Sequence, residues 1–162
     1  MIPLGNAARL LAGVVALATI FGALLADFLI PAGAAQHLRN DAWPPHAKFH
    51  DAQYIVMSLL LGVIALVLLM RRGGDRFPAL GWACAVLAVP WLALLGALLF
   101  PGTAIQDPEF DNPSALGLHP QILLSLILLA LLLAAVALAA RQRPGAAAEP
   151  RRADSDRGEF GA

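Results

Sequence analysis

Four long apolar blocks take up most of this chain, and they leave it little to become except a set of membrane-crossing helices. The first runs from Leu10 to Ile30, the second is built on Ile55 to Met70, the third covers Phe77 to Phe100 and the fourth Gln121 to Ala140. Each comes near the roughly 20 apolar residues needed to cross about 30 Å of hydrocarbon. They are blocks rather than the one-sided stripes of soluble helices. A hydrophobic content of 59% against 14% charged residues over 162 positions points the same way. The expected fold class is all-α: a four-helix transmembrane bundle spanning residues 1–140, with the lipid bilayer as its first partner.

The first block resembles a secretory signal, but its apolar run exceeds the roughly 7–15 residues of such a segment and three further spans follow it, so it is expected to stay attached. Ala18, Gly22 and Ala26 recur every fourth residue, which puts them on one face and permits close helix contact in lipid. Asp27 interrupts the block near its end. A carboxylate in a span costs about 2.5–3.5 kcal/mol on insertion scales, so it should face the bundle or a wet cavity with a partner, or else sit half-solvated at the interface. Pro31 and Gly33 close the block. Arg71-Arg72-Gly73-Gly74-Asp75-Arg76 stops the second helix. Pro90 lies inside the third block, where a kink is expected, and Cys84 reads as a small buried hydrophobe because a single cysteine excludes an intramolecular disulfide. Residues 141–162 turn abruptly to Arg, Pro, Gly, Ala, Glu and Asp and are expected to form a disordered tail.

Orientation follows from the cations. Arg9, Arg71, Arg72, Arg76 and the tail arginines fall on one side of a four-span chain, with only Arg39 and Lys48 on the other. The positive-inside rule then makes both termini cytoplasmic, in a bacterial plasma membrane for preference. All four histidines, His37, His46, His50 and His119, belong to the opposite, outward end, and Asp27 lies there too. Net charge is zero and no basic patch alternates with aromatic residues, so the sequence gives nucleic-acid binding no support.

Within that outward end, Trp43-Pro-Pro-His-Ala-Lys-Phe-His-Asp-Ala-Gln-Tyr54 stands out. Pro45 suits a first helical position, because the N–H it lacks would have been unpaired there anyway. A helix starting at Pro45 carries His46, His50 and Tyr54 on one face at four-residue spacing, with Gln53 beside them. Pro120 repeats the device, with His119 before it. Imidazoles titrate near neutral pH, and a carboxylate such as Asp27 or Asp51 beside one orients it and stabilises its charged form. Candidate catalytic residues are therefore His46, His50, Asp27, Tyr54 and His119. Trp43, Gln53, Trp91 and Gln121 are candidate substrate contacts. A metal, if one is bound, falls to the i, i+4 pair His46 and His50, completed by His119 or an acid. The sequence names no cofactor.

Isomerisation, cyclisation and hydrolysis of a lipophilic small molecule all fit such a cluster. So does a non-catalytic binding or transport component, or a scaffold subunit, and self-association into a homo-oligomer stays open. The plainest account is that Trp43, His46, Lys48, Phe49, His50 and Tyr54 hold the helix at headgroup depth, since interfaces favour these residue types.

The run His37-Leu-Arg-Asn-Asp-Ala-Trp-Pro-Pro-His-Ala-Lys-Phe-His50 ahead of a membrane helix resembles the signature of a group of small four-helix membrane proteins of unassigned function, found in bacteria and fungi. The layout is similar, more loosely, to that of the DoxX-like proteins. That resemblance implies a fold and a location, not a chemistry. The sterol isomerase-like membrane fold offers an analogy only, because its motifs have no residue-by-residue match here.

Overall fold

The structure, a computed structural model, describes residues 4–71, 76–112 and 114–142. These form five α-helices and one π-helical segment: α1 (Leu4–Ala23), the π segment (Leu24–Leu29), α2 (Pro31–Ala34), α3 (Pro45–Met70), α4 (Arg76–Ala97) and α5 (Pro120–Ala140). No strand occurs among the described residues. Four stretches are long and apolar enough to cross a membrane: Asn6–Leu29, Pro45–Met70, Phe77–Ala97 and Pro120–Ala140. The chain is thus an all-α four-helix bundle of the multi-pass membrane kind. Of the tail expected over residues 141–162, residues 143–162 lie outside the described residues, as does the Arg72–Asp75 part of the cationic turn.

The spans run alternately up and down, and α1 packs on α3, α3 on α4, α4 on α5 and α5 back on α1. Small residues make these contacts close. Ala8, Ala12 and Ala16 of α1, Ala65 of α3, Ala83 of α4 and Ala135 of α5 are fully buried, and Leu87 of α4 fills the middle of the bundle. Lipid tails are as apolar as leucine, so helices in a membrane gain by close van der Waals packing rather than by hiding large side chains. Leu60, Val67, Trp82 and Leu133 accordingly point outward.

α3 comes close to α1 at Gly62, where a Cβ would collide with Ile20 and press on the Ala16 carbonyl. The stripe Ala18, Gly22 and Ala26, expected to supply that contact, does something else. Ala18 packs against the core, but Gly22 and Ala26 leave room that becomes a cavity wall. At the other end of the bundle, the Arg9 guanidinium donates to the Leu69 carbonyl in the last turn of α3. That carbonyl has no partner within its own helix, so a cation there satisfies it.

Both prolines expected at helix starts are there. Pro45 and Pro120 open α3 and α5, and α4 runs through Pro90 without ending. The departure from expectation is after Ala23. The helix widens into a π turn in which the Ile30 N–H donates to the Leu25 carbonyl, five residues back, at 2.7 Å. Ile30 is extended, as a residue before proline should be. Pro31 then begins α2 rather than a plain connection, and α2 folds back on the π segment so tightly that a Cβ on Gly33 would strike the Ala26 carbonyl oxygen. This fold-back sets the position of His37 over the π segment.

Candidate functional site

Asp27 lies in the π segment and is 5% exposed. Its Oδ1 is 3.5 Å from Nδ1 of His37, a residue that α2 has carried back over it. The separation suits an ion pair, but Oδ1 accepts no hydrogen bond. His37 Nδ1 is instead 3.0 Å from the Gly33 carbonyl, and a carbonyl only accepts, so Nδ1 carries the proton. In the neutral ring Nε2 then holds the lone pair. The ring is further held edge-on against Trp43, with centroids 5.7 Å apart.

A cavity of about 320 Å³ opens beside this pair. Every span contributes: Gly22, Ala23, Ala26 and Asp27 come from the first, Asp51 and Tyr54 from α3, Trp91, Leu94 and Ala97 from α4, Gln121 and Leu124 from α5. This bundle cavity is apolar for most of its wall and polar at one end. Its volume falls within the roughly 300–1,000 Å³ range of small-molecule sites. Trp91 is fixed in its wall by donating from Nε1 to the Thr19 hydroxyl at 3.1 Å, while that hydroxyl donates to the Val15 carbonyl at 2.9 Å. Asp51 Oδ2 is buried and, like Asp27 Oδ1, accepts no hydrogen bond.

A second cavity of about 310 Å³ lies under the loops and shares Ala26, His37 and Gln121 with the first. Its walls are tied by side-chain amides. Gln36 and Asn112 bond reciprocally at 2.8 and 3.1 Å, Asn112 also donates to Gln106 at 3.1 Å, and Trp43 donates to Asp107 at 3.1 Å. The 98–119 loop is thereby pinned to the first loop. His119 lines this loop cavity and caps α5, its Nδ1 accepting from the Gln121 N–H at 3.3 Å. Burial pulls its pKa below the usual histidine value.

Of the nine candidates read from the sequence, Asp27, Tyr54, Trp91 and Gln121 meet at the bundle cavity, and His119 and Trp43 at the loop cavity. His46, His50 and Gln53 line neither. They are exposed at the start of α3 and bond to one another, with His50 Nδ1 donating to the Gln53 amide oxygen at 3.2 Å and the Nε2 atoms of His46 and His50 3.1 Å apart. With the His50 proton on Nδ1, it is His46 that donates between the two rings. The shared stripe thus divides at Tyr54, where α3 enters the bundle.

As metal ligands His46 and His50 make a pair without a third member. Among the described residues no group of three or more His, Cys, Asp or Glu side chains is placed to hold an ion. The sequence reading passed over His37 as a site residue and gave Asp51 only a supporting place. Nothing in four-residue spacing shows a histidine ten positions from Asp27 returning to it. The nearest signal was Gly33 after Pro31, which reads as a helix stop and is in fact a contact surface.

No curated protein and no solved structure matches the chain. Residues 11–152, which take in most of the first span and the other three whole, match the family described as a family of unknown function, DUF6640, and the chain belongs to that family.

Proposed function

We propose that the bundle cavity receives a lipophilic small molecule and that Asp27 and His37 move a proton on it. The observation that carries this reading is a carboxylate 95% buried in a membrane span, within ion-pair distance of an imidazole, at the polar end of an otherwise apolar cavity. An ionisable pair at that depth is expensive and marks function more often than architecture. His37 is oriented by the Gly33 carbonyl with its lone pair on Nε2, so it serves as the base. Asp27 stabilises the imidazolium that results. Tyr54 and Gln121 supply hydrogen bonds to the polar part of the substrate. Isomerisation is the simplest reaction of this kind: a proton leaves one carbon for Nε2 and returns to another, and nothing else is consumed. Cyclisation and hydrolysis use the same pair. His46 and His50 take no part in this scheme and hold the mouth of α3 at headgroup depth. The cation distribution supports an orientation with the cavity end outward and both termini in the cytoplasm.

The wall that the two cavities share favours a second reading, a non-catalytic binding or transport component that passes its ligand between loop side and membrane side. Complementation of a deletion strain separates the two when paired with turnover by purified protein. Asp27→Asn and His37→Gln should abolish complementation while His46→Ala and His50→Ala preserve it. If Asp27→Asn and His37→Gln both complement fully, the site reading fails. If they do not, yet purified protein turns over no lipophilic extract of the host, binding or transport replaces catalysis.

A further inference from the structure

The charges around the bundle cavity do not balance. It is lined by two carboxylates, Asp27 and Asp51, and by one imidazole, His37, and among the described residues neither lysine nor arginine joins them. Even with His37 protonated, one carboxylate is left over. The leftover is Asp51, because His37 is set against Asp27 at 3.5 Å. Asp51 is half-buried, and its buried Oδ2 has no hydrogen-bond donor. The Arg39 guanidinium is engaged elsewhere, over the Phe28 ring at 5.5 Å from its centroid.

Buried charges are paired, and where the protein does not supply the partner a ligand can. We infer that the molecule taken up by the bundle cavity is a lipophilic amine, bound as its ammonium with the charged head at Asp51 and the apolar part along Ala23, Leu94, Ala97 and Leu124. This rests on the reading of the cavity as a ligand site and names the class of molecule. An N–H donor meets the orphaned Oδ2, and its charge completes the pairing that His37 provides for Asp27. Tyr54 and Trp91 beside it offer aromatic surface, which attracts cations where a ring face is presented. A bare metal ion fits less well. The cavity of about 320 Å³ is far larger than an ion, and no three metal-ligating side chains converge in it. A fatty acid would add a third negative group.

The test is thermal unfolding of the full chain in maltoside micelles with three probes of equal chain length: dodecyldimethylamine, dodecanol and dodecanoate. A ligand at about 100 times its Kd should raise Tm by roughly 5–10 °C in a protein of this size. Dodecyldimethylamine should produce a saturable rise of that order, and the other two should not. Asp51→Asn should remove the rise, and so should Leu94→Trp, which fills the cavity and keeps both carboxylates. Equal shifts with all three probes, or an amine shift unchanged in Asp51→Asn, would overturn the amine assignment. A shift from dodecanol or dodecanoate alone that Leu94→Trp removes would sink the amine class and leave the cavity as a ligand site. No shift from any probe would remove both.

Discussion

Asp27 and His37 are ten residues apart in sequence and 3.5 Å apart in space, and a single glycine makes the approach possible. Gly33 sits where α2 crosses the π segment, with no room for a Cβ beside the Ala26 carbonyl oxygen. Because the neighbour is backbone, it cannot swing aside as a side-chain tip would.

Gly33→Ala should therefore lift α2 from the π segment and carry His37 away from Asp27. Overpacking of this kind costs roughly 1–3 kcal/mol. The control is Gly81→Ala in α4, where a Cβ meets nothing within 4 Å; it should stay within roughly 0.5 kcal/mol of wild type. Unfolding midpoints in detergent check both, and complementation should fail for Gly33→Ala alone.

The Trp91 to Thr19 hydrogen bond crosses between α4 and α1 at full burial. Polar bonds between helices in membranes couple by about 0.6 kcal/mol on average, with about 1.7 as an upper value. A double-mutant cycle with Trp91→Phe and Thr19→Val should return a coupling in that range. A value indistinguishable from zero would show that the indole is held by packing alone.

His119 gives a pH dependence whose sign can be worked out. Its Nδ1 accepts from the Gln121 N–H, which a protonated ring cannot do, and burial lowers its pKa in the folded protein. The unfolded chain thus takes up the proton first, near the ordinary value of about 6.5. The contribution is complete above that value and declines as pH falls towards the folded pKa. Asparagine caps well and does not titrate. Between pH 7.5 and 5.5 the wild type should lose more in Tm than His119→Asn, by on the order of 1–2 °C. Identical losses would dismiss the cap.

Topology can be checked with thiols once Cys84 has been replaced by alanine. Ser114 and Arg141 are both exposed, at opposite ends of the bundle. Ser114→Cys should react with an impermeant maleimide added to intact cells and Arg141→Cys should not. The opposite pattern would invert the orientation. Asn40 is a poor reporter because it is buried and its Oδ1 accepts from the Ala42 N–H at 2.9 Å.

What could be read in the sequence was whatever depends on neighbours along the chain. Block length and composition announced the four spans, and the prolines at 45 and 120 placed two helix starts to the residue. Asp27 was recognised as a carboxylate needing a partner, for the same reason of local cost. Its partner was not recognised, because that depends on how the chain turns after Ala23, and a π turn has no residue signature comparable to Gly or Pro. Helical spacing favoured His46 and His50, which do face each other, but spacing cannot say which face of α3 meets the bundle. Tyr54 and Asp51 were drawn inward by the packing of α3 against the π segment, a contact between residues far apart in sequence.

The π turn also makes the arrangement sensitive to length. It holds one more residue than an α-turn would, and each residue advances a helix by about 100°. Removing a single residue from α1 ahead of that turn, with the turn itself kept and without touching one polar group, would swing the Asp27 carboxylate through about a quarter of a revolution, from the cavity towards the hydrocarbon. In this chain an indel of one position is a more drastic edit than most substitutions.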